Sequence, residues 1–188
     1  MKHFFLLLAL TLTACNNGAT PCVAIKTSGQ ILPLSIGNTW IYHITELDFG
    51  TITKSLYDTV TISRDTFING EKWFFYSGEI VINRSDGLWG FYQISKDSIT
   101  PVLVWEYPIK SGNVIHQPYD SIIVAATDTV ISVPYGCFFS NVYFVGRNKE
   151  YSECFVPGIG RIKSEQWYDG YEHHDKIKQI ELVSATLH

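Results

Sequence analysis

Residues 59–76, TVTISRDTFINGEKWFFY, contain the turn and the alternating pattern that decide the fold. Asn69-Gly70 suits a type I′ turn, in which both central residues take a positive φ. On either side of this turn, β-branched and aromatic residues alternate with polar ones, which predicts an antiparallel hairpin. The turn also sets a register, which pairs Ile68 with Glu71, Thr66 with Trp73 and Ile62 with Ser77.

The two faces of this hairpin differ in composition. One face is apolar and is predicted to belong to the core: Val60, Ile62, Ile68, Trp73 and Phe75. The other face is polar but also carries two aromatic residues, Phe74 and Tyr76. Aromatic side chains on a polar face indicate either a surface that contacts a partner or coverage by another strand, and coverage is the favoured interpretation.

The same pattern continues along the chain, and no segment has a helical period. Turn signals at short intervals separate runs of β-branched and aromatic residues, which predicts strands at residues 39–48, 57–68, 71–82, 88–95, 100–106, 121–126, 129–133, 137–145, 151–156, 161–168 and 176–187. An open sheet of about ten strands curls or splits into two layers. We therefore expect an all-β fold, an antiparallel meander of about ten strands curved into a partial barrel or sandwich.

Two segments repeat one short pattern. Residues 33–41, PLSIGNTWI, share proline, glycine and asparagine with residues 108–116, PIKSGNVIH. Each copy is predicted to be a turn that leads into a strand, with glycine permitting a positive φ. Three identities fit recurring turn chemistry better than a duplication.

The start of the chain is set apart from this pattern. Lys2 precedes an apolar run from Phe4 to Leu12, which is much shorter than the roughly 20 residues of a membrane-spanning helix. The run closes with Leu12-Thr13-Ala14-Cys15, and the whole segment resembles the signal peptide and lipobox of a bacterial lipoprotein. This resemblance implies cleavage before Cys15, a diacylglyceryl thioether on that residue and anchoring to a membrane by its acyl chains.

The expected domains follow from this segment. Residues 1–14 are a signal peptide, residues 15–30 are the lipidated cysteine with a small, polar and flexible tether, and residues 31–188 form one β domain. Asn16 and Asn17 follow Cys15 where acidic residues would favour surface display or inner-membrane retention. We therefore expect the outer membrane, with the domain facing the periplasm. A net charge of -4 without a basic cluster argues against nucleic acid as a partner.

Three further cysteines follow Cys15: Cys22, Cys137 and Cys154. Export permits a disulfide bond. A bond between Cys137 and Cys154 is the first choice, although a turn at residues 147–149 would place these two residues out of register. A bond that uses Cys22, or free thiols, remain alternatives.

Two segments together resemble a family of small envelope lipoproteins of Bacteroidetes-type bacteria. The segments are residues 33–42, PLSIGNTWIY, and residues 155–166, FVPGIGRIKSEQ, followed by residues 180–184. The resemblance implies an antiparallel, half-barrel-like sheet akin to that of periplasmic lipoprotein carriers, and it implies no catalytic residues. The cysteine pair departs from the family pattern.

No specific catalytic motif is present. The G-x-G of Pro157-Gly158-Ile159-Gly160 lies before a predicted strand, so it predicts a tight bend rather than a phosphate loop. His173 and His174 lie in a Glu-His-His-Asp cluster and are weak metal candidates, more simply explained as solvated loop residues. The sequence predicts no cofactor.

Three functions remain open. The first is a binding or assembly module with an apolar ligand, an acyl chain or a peptide on an aromatic-lined sheet. Its candidate contacts are Trp73, Phe75, Trp89, Tyr92 and Trp105. The second is a structural protein that uses Phe74 and Tyr76 to bind an envelope partner. The third is an envelope hydrolase acting on glycan or lipid, which needs a polar cluster in a cleft.

Overall fold

A computed structural model of the chain describes residues 22–95, 98–116, 121–146, 150–169 and 174–188. They form thirteen strands, all paired antiparallel: β1 (Thr39–Asp48), β2 (Thr51–Thr61), β3 (Asp65–Ile68), β4 (Glu71–Tyr76), β5 (Glu79–Arg84), β6 (Gly87–Ser95), β7 (Ser98–Glu106), β8 (Val114–His116), β9 (Ser121–Val133), β10 (Gly136–Val145), β11 (Tyr151–Val156), β12 (Gly160–Asp169) and β13 (His174–Thr186). The all-β fold class is confirmed. No helix in the part of the chain that the structure describes is long and apolar enough to cross a membrane.

Eight strands form the larger sheet, in the order β2-β1-β13-β12-β11-β10-β9-β8. The chain meanders from β8 to β13, and β1 then pairs with β13, so that Thr39 lies opposite Thr186. The sheet curls strongly, because the β9–β10 turn reaches β13, where the Tyr135 N–H donates to the Leu182 carbonyl oxygen at 3.0 Å. The predicted curvature into a partial barrel is therefore observed in this sheet.

The other five strands, β3 to β7, form a separate meander. Its first hairpin turns at Asn69-Gly70, with φ of 52° and 82°. Ile68 pairs with Glu71 and Thr66 with Trp73, as predicted. A second positive-φ turn, at Ser77-Gly78, divides predicted strand 71–82 into β4 and β5.

One part of the predicted hairpin register is wrong. Ile62 does not face Ser77, because the chain crosses from the larger sheet to the smaller one between β2 and β3. The Ile62 N–H donates to the Asn38 carbonyl oxygen, and the Ile62 carbonyl oxygen accepts from the Gly37 N–H, both at 2.9 Å. These bonds to the turn before β1 take the place of pairing with β4.

The main core lies between the two sheets. Its fully buried side chains come mostly from the larger sheet and the segments that flank it, among them Ile31, Leu32, Trp40, Tyr42, Tyr143, Ile162 and Leu182. Val81 and Leu88 join this cluster from the smaller sheet, and Phe74 and Tyr76 pack against it. The favoured prediction that Phe74 and Tyr76 are covered is thus correct. Trp73 is buried outside this cluster, whereas Ile68 and Phe75 are only half-buried.

The two Gly-Asn turns have the same backbone arrangement. Gly37 and Asn38 bracket Ile62 with two hydrogen bonds, and Gly112 and Asn113 bracket Val124 with two more, also at 2.9 Å. Each turn leads into a strand, β1 or β8, as the repeated pattern predicts. The repeat is therefore real at the level of turn chemistry.

The N-terminal segment is bound to the domain from Cys22 onward. Ile25 forms a parallel bridge with Phe138 in the half of β10 that β11 does not pair with. The Ile25 N–H donates to the Cys137 carbonyl oxygen at 2.8 Å, and the Gly158 N–H donates to the Gln30 carbonyl oxygen at 2.7 Å. The prediction of a flexible tether therefore fails for residues 22–30. Cys15 and the predicted signal peptide lie outside the described residues.

The first-choice disulfide is also wrong. Cys137 is bonded to Cys22, with a Cα–Cα distance of 6.0 Å, and Cys154 is a buried free thiol. The strand register explains this outcome, because Cys154 lies opposite Val142 on β10. Cys137 lies farther along the same strand, opposite Ser132. The alternative that uses Cys22 is the correct one.

A candidate ligand-binding cleft between the two sheets

A cleft of about 220 Å³ lies between the smaller sheet and the β11–β12 hairpin of the larger one. Its lining is polar at one end and apolar at the other: Tyr76, Ser77, Glu79, Val81, Leu88, Val104, Trp105, Glu153, Phe155 and Arg161. Two tight bends position these side chains. The Ser77-Gly78 turn places Tyr76 opposite Glu79. The bend at Pro157-Gly158-Ile159-Gly160, predicted as structural, brings Arg161 opposite Phe155.

The Glu153–Arg161 ion pair forms the polar end. An Arg161 Nη1 lies 3.8 Å from Glu153 Oε1, and the same oxygen accepts a hydrogen bond from the Ser164 hydroxyl at 3.0 Å. The Arg161 guanidinium lies over the Tyr42 ring, 5.1 Å from its centroid. The Tyr42 hydroxyl donates to the Arg161 carbonyl oxygen at 3.0 Å. The charged groups are therefore fixed from several sides.

Three buried polar atoms in this cluster have no hydrogen-bond partner among the described residues. They are the Tyr76 hydroxyl oxygen, Glu153 Oε2 and Arg161 Nε. The Tyr76 hydroxyl lies near that of Tyr42, which donates its proton to the Arg161 carbonyl oxygen and can still accept a hydrogen bond from Tyr76. Because buried polar groups in native proteins are nearly always paired, the unpaired Glu153 Oε2 and Arg161 Nε indicate a place where water or a ligand supplies the missing partner.

Burial controls the proton affinities here. It raises the pKa of Glu153, and the Arg161 guanidinium and the Ser164 hydroxyl offset only part of that rise. It raises the pKa of Glu79 as well, again against the effect of Arg161. Burial would lower the pKa of Arg161, but Glu153 and the two tyrosines raise it above its ordinary value. Arg161 is therefore a permanent cation, and burial also raises the pKa of Tyr76, so its hydroxyl stays protonated.

Aromatic rings form the apolar end. The Trp105 ring lies 5.0 Å from both Tyr143 and Phe155, centroid to centroid. The Tyr143 hydroxyl is satisfied by the Glu106 carbonyl oxygen at 2.9 Å. Gly90 keeps the β6 backbone close to this wall, because a Cβ there would lie 3.0 Å from Val104 Cγ2. This end offers apolar surface without an unpaired polar atom of Trp105, Tyr143 or Phe155.

The predicted contact residues separate into two groups. Tyr76 and Trp105 line the cleft. Trp73 and Trp89 flank Arg84, whose guanidinium lies 5.5 Å and 4.6 Å from their ring centroids. The Arg64 guanidinium lies over the Phe75 ring, 3.9 Å from its centroid. Phe74 packs toward the core. The side chain of Tyr92 lies outside the described part of the chain. Trp73, Phe75 and Trp89 therefore do not converge on the cleft.

Sequence reasoning missed Glu79, Glu153 and Arg161. A signal for two of them exists in residues 151–162, YSECFVPGIGRI, where opposite charges flank an apolar bend and point to the same side of a hairpin. Glu79 has no such signal, because its position follows from the Ser77-Gly78 turn.

The metal candidates receive no support. His173 and the side chain of His174 lie outside the described part of the chain. Among the residues that the structure does describe, no group of three or more His, Cys, Asp or Glu side chains is placed to hold a metal ion.

A second depression of about 500 Å³ is wider and more open, between residues 29–31, 83–87 and 107–108. Its main polar side chains are already paired. Asn83 Nδ2 donates to the Gln30 side chain at 3.0 Å and to the Leu32 carbonyl oxygen at 2.6 Å, and Arg84 is paired with Glu71 at 2.6 Å. The inter-sheet cleft is therefore the better candidate site.

No family model and no curated protein matches the chain. It is similar to two solved structures. One, from Bacteroides fragilis, is described as a "putative exported protein with YmcC-like fold"; it is 13% identical with a TM-score of 0.43, over 84% of this chain and 99% of that one. The other, from Parabacteroides distasonis, is described as a "putative lipoprotein"; it is 9% identical with a TM-score of 0.49, over 86% of this chain and 100% of that one.

Proposed function

We propose that this chain is a lipid-anchored protein of the bacterial cell envelope that binds a small neutral ligand in the inter-sheet cleft. One observation carries the binding proposal. The buried polar atoms described above belong to Tyr76, Glu153 and Arg161, and these three residues line the same cleft as Trp105. An apolar pocket with a few convergent polar groups is the usual form of a small-molecule site.

The three atoms define the ligand's polar end. Glu153 Oε2 accepts, Arg161 Nε donates, and the Tyr76 hydroxyl does either. A hydroxyl or amide group satisfies such a set, because it donates and accepts at once. Glu153 and Arg161 neutralise each other, and burial favours the protonated, neutral form of Glu79, so a charged ligand would have to be desolvated without a free counter-charge. The ligand is therefore neutral, with a hydrogen-bonding end and an apolar body.

A pair of probes tests this chemistry. 2-Phenylethanol carries a ring and a hydroxyl, and ethylbenzene has the ring alone. We expect saturation-transfer NMR to show tighter binding of the alcohol. Tyr76→Phe keeps the ring and should weaken binding of the alcohol by about 2- to 10-fold, the worth of one net hydrogen bond, and leave ethylbenzene unchanged.

The matched control is Tyr57→Phe, because Tyr57 is exposed on β2 and lies outside the cleft. It should change neither affinity. If neither probe binds, or if Tyr76→Phe weakens both probes equally, the cleft does not recognise a hydroxylated ligand.

The anchor is proposed from Lys2, the apolar run and Cys15, and the outer membrane with a periplasm-facing domain is proposed from Asn16 and Asn17. Radiolabelled palmitate should be incorporated by cells that express the parent chain, and Cys15→Ser should abolish the label. Membrane fractionation then tests the outer-membrane location, and protease treatment of intact cells tests whether the domain faces the periplasm. Label retained by Cys15→Ser would contradict the anchor.

A hydrolase acting on glycan or lipid is the second candidate, favoured by one observation. Glu79 and Glu153 line one cleft and both have raised pKa values. Glycoside hydrolases use two carboxyl groups, one of them a protonated acid. Turnover of glycoside or ester substrates that Glu79→Gln abolishes would support this reading, and binding without turnover would reject it.

A further inference from the structure

We infer that the corner of the domain around the Cys22–Cys137 disulfide rests on the bilayer surface, with Val23, Ile25 and Tyr135 in contact with lipid. This inference rests on the proposed lipidation of Cys15. The lipidation alone does not say which surface of the domain faces the membrane. The inference names that surface and a contact that the folded domain makes with lipid.

The disulfide fixes where the anchor leaves the domain. Cys22 is bonded to Cys137 at the start of β10, next to the β9–β10 turn. The Ile25 backbone holds the same strand through bonds of 2.8 Å and 3.1 Å to Cys137 and Phe139. Six residues lie between Cys15 and Cys22, so seven Cα–Cα steps join them, and an extended chain of that length spans at most about 25 Å. This corner therefore cannot move farther than that from the lipid attached to Cys15.

The corner carries exposed apolar side chains. Val23 is 83% exposed, Ile25 is 54% exposed and Tyr135 is 38% exposed. Ile25 lies beside Phe138, and the Tyr135 ring stacks on Phe138 with centroids 5.8 Å apart. Val23 follows Cys22, whose bond to Cys137 holds it at the same corner. Apolar side chains with a tyrosine at their rim are the composition of a membrane-interface contact.

The charges at this corner give no preference for anionic lipids over neutral ones. Lys26, the cation of this segment, is paired with Asp128 at 2.9 Å. The corner therefore has no excess positive charge to select acidic headgroups, and contact depends on apolar burial at about 25 cal/mol per Å². Zwitterionic lipid is accordingly sufficient as a test surface.

The test uses the full lipidated protein in phosphatidylcholine vesicles with brominated acyl chains, which quench tryptophan on contact. Tyr135→Trp places a probe at the corner, and Val23→Trp provides a second one if the first variant folds poorly. Phe67→Trp is the control, because Phe67 is 70% exposed on β3, in the other sheet. We expect the added emission of the corner probes to be quenched and blue-shifted, and that of the control to be unaffected.

The outcomes separate the two proposals. Protein that does not float with vesicles rejects the anchor and this inference together. Protein that floats while the corner and control probes are quenched equally, or not at all, rejects this inference alone. A Tyr135→Trp probe that is unquenched in vesicles but shielded from iodide in native membranes assigns the corner to a protein partner, and also rejects it.

Discussion

Replacing Cys22 and Cys137 together by serine is expected to lower stability by several kcal/mol. The bond joins residues 115 positions apart, so it closes a loop that includes most of the β domain. In the chain-entropy model such a loop removes about 16 cal/mol/K from the unfolded state, which is about 4.8 kcal/mol at 25 °C. The serine variant keeps the backbone bonds of Ile25, so the loss comes chiefly from the unfolded chain.

Guanidinium unfolding followed by circular dichroism measures this loss. With a slope of about 4 kcal/mol per M, the midpoint should fall by about 1 M. Reductant supplies the matched control: it should lower the parent to the midpoint of the double variant and leave the double variant unchanged.

A further variant separates the observed pairing from the one first predicted. Cys154→Ala should keep its sensitivity to reductant, because Cys154 has a free thiol. A loss of less than about 1 kcal/mol in the free energy of unfolding of the double variant would refute the entropic reasoning. An unfolding midpoint of Cys154→Ala that reductant does not change would refute the assigned bond.

Three other predictions concern single residues. Burial raises the pKa of the Cys154 thiol to about 12, so the folded protein should not react with a disulfide reagent at pH 8 and should react once unfolded; prompt labelling would show an accessible thiolate. Trp40→Phe removes the 2.6 Å hydrogen bond from the indole N–H to the buried Ile159 carbonyl oxygen. Thermal unfolding should show a free energy of unfolding lower by about 2–4 kcal/mol. A loss under about 1 kcal/mol would mean that water replaces the indole N–H. Because burial raises the pKa of Glu79 in the folded state, its contribution to stability is present below the unfolded pKa and is lost as the pH rises through the folded one. Glu79→Gln should therefore be more stable than the parent at pH 7, with the difference closing toward pH 4, and an advantage that grows in acid would reverse the assigned sign.

Local signals in the sequence predict local structure well. The Asn69-Gly70 turn, its nearest pairs and strand β1 at residues 39–48 are observed as predicted, because turn chemistry and alternation act within a few residues. Strand pairing across the domain was not predictable in this way. The crossing at Ile62 depends on bonds to the distant Gly37-Asn38 turn, and no pattern within the hairpin reports them.

The candidate site shows the same division. Trp105 was predicted as a ligand contact and Tyr76 as a covered residue or a partner contact, and both line the cleft. Glu153 and Arg161 were not, because a charged residue within a strand is ordinarily taken to face solvent. Their role depends on the smaller sheet closing over the β11–β12 hairpin, and that contact exists only in the tertiary structure.

The pairing of β1 with β13 sets an order of events during synthesis. The smaller sheet is built from residues adjacent in the chain, so its contacts can form as soon as β7 has emerged. β1 has only β2 beside it until residues 174–186 have been synthesised, because its other edge pairs with β13. The larger sheet therefore cannot close early, and β1 and β12 each lack a partner strand until β13 has left the ribosome. A chain with this topology has a built-in delay before it becomes fully folded, and such a delay is compatible with the export proposed from the N-terminal segment.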